Sequence, residues 1–478
     1  MSDPAFLPTL KRFLSRFSIL FKLAVIGFLL LLMCIPLSMV ESQLSDRLTR
    51  CNNAIQEINA TWGASQEIIG PILKLPYVLR TKIAQQKEID GKMQTVEVEK
   101  TGIDYAFLLP RNLAIVGKVE PKKLHRGIYE AIVYQARCEV SGTFDFSGLA
   151  ELKIDQKDVR WEEAQLCMRV SDLRGACERI PLQFGGATST FLPGSDISGN
   201  PSGIHAPVKG LESASQPSTS YPFSFSLSLN GSETLAFAPV GTETKVQISS
   251  PWPDPSFYGK FLPSARDVRT EGFTASWNLS NYGRNYPQQW TQNQTIESLS
   301  ASTFGVKLMA PVDNYRQTER TVKYAILFIL LVFTAYFLFE VITKLKIHPF
   351  QYILVGAAIC VFYLGILALS EFCSFSWSYA ASAFAAWGMI SLYTRSVLKS
   401  GRKTLIISAI LAIIQAYFYL MTQLQDYSMI FGTAILFVAL ASVMFVTRRL
   451  DWYDNTQEST DASSPAPGGV ADSSKNAL

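Results

Sequence analysis

The chain has 478 residues, 48% of them hydrophobic and only 17% charged, with a formal net charge of +4. Soluble domains carry roughly 25% charged residues, so this composition sets the chain apart from them, and so small a net charge gives no footing for a nucleic-acid partner. The shortage of charge is confined to the first 40 residues and to the stretch from Tyr324 to Val446. Between them lie about 280 residues of ordinary soluble composition, enough for one large domain or two small ones.

Residues 1–22 carry Lys11, Arg12, Arg16 and Lys22 ahead of the apolar run Leu23–Val40. A bilayer core about 30 Å thick needs roughly 20 apolar residues of helix. The run exceeds the about 7–15 apolar residues of a cleaved signal peptide, and Ser38-Met39-Val40 makes a poor cleavage site. An uncleaved membrane helix over 23–40 is therefore expected, with Pro36 bending its last turns and a short helix following over Ser42–Ile58.

Across 41–323 the apolar runs give way to alternation. In Phe223-Ser224-Phe225-Ser226-Leu227-Ser228-Leu229 a period of two puts every Phe and Leu on one face and every Ser on the other. Strands also fit Ile128–Val140, Leu235–Phe237, Lys245–Ile248, Phe273–Leu279 and Phe304–Leu308, separated by turns at Asn230-Gly231, Val240-Gly241 and Ser250–Pro255. Half-buried strands with short turns predict a β-sandwich or two stacked sheets. Gly185–Ser220, rich in Gly, Ser and Pro, reads as a surface loop or as a linker between two lobes, 50–184 and 221–312.

Five further membrane helices are expected over 324–341, 350–369, 376–393, 404–421 and 427–446. Short cytoplasmic loops are enriched in Lys and Arg, which tests the parse. With the N-terminus inside, the inner loops carry Lys344 and Lys346, then Arg395, Lys399, Arg402 and Lys403, then Arg448 and Arg449. The outer turns around Glu371 and Asp426 carry none; Arg320 and Lys323, before the second helix, are the exceptions. The expected fold is thus an α+β membrane protein with six transmembrane helices, one N-terminal and five C-terminal. Its large β-rich, sandwich-like domain is extracytoplasmic, and residues 447–478 form a disordered cytoplasmic tail.

No nucleophile, base and orienter set with a recognisable spacing is present, nor a glycine-rich phosphate loop, so no enzyme activity and no cofactor is expected. Three histidines and no CxxC argue against a zinc site. Cys167 and Cys177 either bridge a hairpin or stay as two free thiols. No span carries a charge at its centre, which weighs against an ion-coupled transporter with a midplane site. Glu340 stands four residues before Lys344 as an interfacial ion pair or a functional carboxylate, and His348 opens the next helix as an interfacial residue or a proton sensor. Glu371 and Asp426 read as solvated loop carboxylates. The proline- and aromatic-rich Ser250–Pro263, with Trp252, reads as a recognition edge or as a packed corner.

Several strings carry a family resemblance. At the membrane end they are Pro311-Val312-Asp313, Lys323-Tyr324-Ala325-Ile326-Leu327-Phe328, Ile347-His348-Pro349-Phe350-Gln351-Tyr352, Leu369-Ser370-Glu371 and Arg448-Arg449-Leu450-Asp451-Trp452-Tyr453. In the outer domain they are Ser171-Asp172-Leu173-Arg174-Gly175, Ser250-Pro251-Trp252-Pro253, Phe261-Leu262-Pro263 and Gly272-Phe273-Thr274-Ala275-Ser276-Trp277. With these the chain resembles the CreD family of bacterial inner-membrane proteins over most of its length. The resemblance implies a role in cell-envelope integrity, within a response to envelope stress such as β-lactam exposure, and supplies no molecular activity. Phe372-Cys373 and the four cysteines of the outer domain depart from the family pattern.

The candidate functional or coupling residues are Asp172, Arg174, Trp252, Arg320, Lys323, Glu340, His348, Gln351 and Glu371. Two functions are open. In the first, a non-enzymatic protein uses its β-domain to bind a periplasmic protein, glycan or lipid. In the second, a lipid or small-molecule transporter or flippase encloses a cavity lined by Glu340, His348, Gln351 and Tyr363.

Overall fold

A computed structural model describes residues 18–89, 92–175, 179–195, 197, 202–211, 220–291, 296–309, 314–343, 347–424 and 427–448. The chain forms two compact units, Met1–Leu48 with Val312–Leu478, and Thr49–Pro311. One helix, α1 (Ser18–Trp62), contributes to both. The expected membrane helix and the short helix after it are one continuous element with Pro36 inside it.

The first unit is helical. After α1 come α2 (Asn314–Lys323), α3 (Ala325–Thr343), α4 (Pro349–Leu369), α5 (Phe375–Leu398), α6 (Gly401–Gln423) and α7 (Ser428–Thr447). Five of these, α1, α3, α4, α6 and α7, are long and apolar enough to cross a membrane. Along α1, Leu29, Met33, Leu37, Val40 and Leu44 are buried, a stripe recurring every three or four residues, while Phe28, Leu31, Ile35 and Met39 on the other side are exposed. Apolar residues on both sides mark a helix whose outer face meets lipid. Gly356 on α4 admits α1, because a Cβ there would lie 2.8 Å from Met33 Sδ.

α5 was expected as the fourth span of the bundle, and it is not among the helices long and apolar enough by composition to cross a membrane. Several of its polar residues turn inward. Tyr379 donates to the Gln415 carbonyl at 2.8 Å, Trp387 donates to the Ser408 carbonyl at 2.9 Å, and Thr394 bonds Tyr336 at 2.6 Å. Its exposed positions include Trp377, Phe384 and Leu392. Polar groups inside and apolar groups outside invert the arrangement of a soluble bundle.

The second unit carries two sheets. The strands are β1 (Gln66–Ile89), β2 (Lys92–Leu108), β3 (Asn112–Arg126), β4 (Tyr129–Phe144), β5 (Gln165–Val170), β6 (Pro181–Phe184), β7 (Ala187–Thr190), β8 (Leu192–Pro193) and β9 (Ile204–Pro207). They continue as β10 (Tyr221–Ser232), β11 (Thr234–Phe237), β12 (Glu243–Ser250), β13 (Pro255–Gly259), β14 (Ala265–Arg269), β15 (Gly272–Ser280), β16 (Gln289–Trp290) and β17 (Phe304–Leu308). One sheet runs β13-β17-β11-β1-β5-β9-β8, with β2 pairing β1 and β16; the other runs β14-β15-β12-β3-β4-β10-β6-β7. In β10, Phe223, Phe225, Leu227 and Leu229 are all buried, as the alternation requires. The sheets share one core, in which the Trp277 and Phe304 ring centroids are 5.4 Å apart and Tyr134 Oη on β4 donates to the Thr234 carbonyl on β11.

Residues 50–184 and 221–312 do not form separate lobes. Both sheets interleave strands from each side, with β1 beside β11 and β3 beside β12. Nor is Gly185–Ser220 a bare linker, since it supplies β7, β8 and β9. Strands of two to four residues leave no alternation long enough to read. Of the expected disordered tail 447–478, Thr447 and Arg448 close α7, and residues 449–478 lie outside the described residues, as do Lys344, Lys346 and Asp426.

Candidate functional site

The helical unit brings distant charges together at two places. Lys22 on α1 donates to Glu340 on α3 at 2.5 Å, and the same carboxylate accepts from the Ile347 amide at 3.2 Å and the Tyr352 hydroxyl at 3.3 Å. Glu340 is 5% exposed. The expected partner Lys344 lies outside the described residues. Against this cluster is a hollow of about 220 Å³, walled by Phe21, Val25, Ile26, Leu29, Ile347 and Pro349.

About seven turns farther along α1, Arg47 pairs with Glu371 in the turn after α4. Glu371 is therefore not the solvated carboxylate expected: its side chain is 9% exposed and holds a guanidinium. Lys22 and Arg47 are separated by about 38 Å of helix at 1.5 Å per residue, slightly more than a hydrocarbon core of about 30 Å. A span centred between them would leave both ion pairs at interfacial depth, where a charge costs far less than at mid-membrane.

His348 and Gln351 act on each other. The Phe350 amide donates to His348 Nδ1 at 3.2 Å, and the His348 amide donates to Gln351 Oε1 at 3.1 Å, a capping box with Pro349 in the first turn of α4. Tyr363 is fully buried elsewhere on α4, and Gln351 borders a separate gap of about 10 Å³. Among the described residues Glu340, His348, Gln351 and Tyr363 do not line one cavity: Glu340 borders the first hollow and Gln351 the second, and Tyr363, twelve residues and about 18 Å farther along α4, borders neither.

Arg320 and Lys323, the exceptions to the charge rule, lie on the separate polar helix α2. There Lys323 pairs with Glu319 at 2.8 Å and Arg320 reaches the Arg316 carbonyl at 3.4 Å. In the outer unit, Asp172 accepts from Arg174 Nε and Nη2, the latter at 2.6 Å, and from the Ala64 amide at 2.9 Å. Arg174 also donates to the Ala60 carbonyl at the end of α1. The Arg174 guanidinium holds the Asp172 carboxyl well below the usual carboxylate range, against the opposing effect of burial. Trp252 is 7% exposed and donates from its indole nitrogen to the Met309 carbonyl at 3.0 Å, so it is the packed corner rather than the edge. Cys167 is buried in β5, and Cys177 lies outside the described residues. Among the described residues no three of His, Cys, Asp or Glu gather as metal ligands would.

Three participants escaped sequence reasoning: Lys22 as a partner, Arg47, and Arg284. Arg284, 9% exposed, donates to the carbonyls of Pro239, Val240 and Gly241, and burial pulls its pKa down. Nothing in a single sequence points from Arg47 to Glu371.

The sequence profile of the family described as "Inner membrane protein CreD" matches residues 18–453. The "Inner membrane protein CreD" of Escherichia coli (strain K12) is 30% identical over 423 residues, covering 88% of this chain and 91% of that protein. The chain belongs to the CreD family. It is an inner membrane protein by that membership and by its apolar helices. In this CreD chain the quoted strings take structural positions: Asp172 and Arg174 tie the end of α1 to β1, and Trp252 and Trp277 fill the sheet core. Gly175 meets Asn230 so closely that a Cβ would lie 2.4 Å from its side chain.

Proposed function

We propose that this CreD-family protein crosses the bacterial inner membrane six times, with both ends of the chain cytoplasmic and 49–311 in the periplasm. In this reading it supports envelope integrity under β-lactam-type stress as a non-enzymatic binder. The inside-out character of α5 supports a sixth span. The basic residues at Lys22, between α5 and α6, and after α7 fall at one end, while residues 370–374 and 424–427 have no Lys or Arg. Labelling with a membrane-impermeant thiol reagent in a cysteine-free background tests the topology. Tyr282→Cys, at a 94% exposed position, should react in intact cells and Arg402→Cys should not. Equal reaction of both would overturn it.

The observation that carries a binding role is the ribbon formed by β1 and β2. From Val78↔Ile103 to Ile89↔Lys92 these strands pair, among the described residues, only with each other. Twelve residues of strand reach roughly 40 Å at about 3.3 Å each. Two-stranded ribbons are marginal alone in water, and their open edges template further strands. A protein partner that adds a strand suits this geometry better than a glycan or a lipid. Replacing 81–100 with an Asn-Gly turn should abolish β-lactam protection while the protein still reaches the membrane at normal level. Undiminished protection would exclude the ribbon as the binding element.

A further inference from the structure

The hollow beside Lys22 and Glu340 has the chemistry of a site for one lipid head group. A carboxylate offers about four acceptor positions, and Glu340 uses three, on Lys22, the Ile347 amide and Tyr352. An ammonium has three donors, and Lys22 directs one at Glu340. Among the described residues the pair therefore keeps one acceptor and two donors for a ligand that brings its own cation and anion. The hollow, about 220 Å³, holds roughly seven waters at about 30 Å³ each, enough for a phosphate joined to a two-carbon amine. Its walls are apolar, and Phe21 at its margin is exposed, as a path for acyl chains requires. Lys22 lies at the start of α1 and Ile347 just before α4, so the hollow sits at head-group depth.

We propose that this hollow binds an ethanolamine phospholipid, with the lipid ammonium on the Glu340 carboxylate and its phosphate on the Lys22 ammonium. A lipid with an anionic, amine-free head would satisfy Lys22 and leave Glu340 facing negative charge. The net-neutral pair thus selects a net-neutral head. The site depends on α1, α3 and α4 lying in lipid and not on which side their ends face, so it stands or falls separately from the topology and from the ribbon.

The full chain, purified and offered equal amounts of phosphatidylethanolamine and phosphatidylglycerol in mixed micelles, is read by native mass spectrometry. The wild type should retain the ethanolamine lipid several-fold over the glycerol lipid. Glu340→Gln should lose that preference, and Glu371→Gln, at the other end of the helices, should keep it. Val25→Trp fills the hollow while leaving both charges, and should lose retention with unfolding temperature preserved; this variant decides the matter if Glu340→Gln fails to fold. Excess glycerophosphoethanolamine should not displace the lipid, since it lacks the chains. Equal retention of the two lipids by the wild type, unchanged preference in folded Glu340→Gln or Val25→Trp, or displacement by the soluble head group would each overturn the proposal.

Discussion

Arg47 and Glu371, 324 positions apart in the chain, form an ion pair that fastens α1 to the turn between α4 and α5. Arg47→Ala leaves a carboxylate that is 9% exposed without its cation. Because Arg47 itself is partly exposed, the loss should fall at about 1–3 kcal/mol, below the cost of breaking a fully buried pair. Thermal unfolding of the purified protein in detergent measures it. Exchanging the charges, Arg47→Glu with Glu371→Arg, should recover part of the loss; an unchanged melting temperature in Arg47→Ala would show the pair to be idle.

Asp172 gives the outer unit a defined acid response. Its carboxyl is held below the usual range by Arg174. A depressed folded-state pKa contributes stability that is present above the unfolded value of about 3.9 and is lost as pH falls through the lower folded value. Asp172→Asn should therefore be less stable than wild type at pH 7, and the gap should close as the pH is taken below about 4. Protease resistance of the 49–311 unit across that range tests the trend. A gap that widens in acid would contradict it.

Trp252 distinguishes a corner from an edge. Replacing a buried Trp by Ala removes packing worth about 3–5 kcal/mol, and here it also removes the hydrogen bond to the Met309 carbonyl. Trp252→Ala should lower the unfolding temperature of the outer unit sharply, whereas an exposed recognition residue would leave it unmoved.

The His348 imidazole caps a helix, and a hydroxyl can do the same work. His348→Ala should cost about 1 kcal/mol of bundle stability, and His348→Ser should restore most of it. Envelope protection in the Ser variant should match wild type from pH 5 to 8. A protection profile that flattens with pH in that variant would instead mark His348 as a proton sensor.

Much of the architecture was legible because the forces behind it are periodic. Lipid solvation demands long apolar helices, so α3, α4, α6 and α7 appear within a few residues of their expected ends. A sheet with one face in the core demands alternation, so β10 could be read from its Phe/Ser pattern. β1 and β2 escaped altogether: their far half is Lys-, Gln- and Glu-rich, and the signal available in the sequence was Asp90-Gly91, a pair favoured in two-residue hairpin turns. The partners of Glu340 and Glu371 escaped for another reason. Each carboxylate is satisfied by a cation from α1, and no local spacing records a contact made across the whole chain.

The parallel pairings have a consequence for the order of assembly. Gln66 lies opposite Leu235 and Asn112 opposite Glu243, so the first strands made are completed only by strands made much later. A nascent chain that ends at residue 220 possesses β1 through β9 but neither β10 nor β11 nor β12, and its central strands stand with raw edges. Such long-range closures are slow and leave sticky intermediates. The half-made domain is therefore open to mispairing until β17 slots in beside β11.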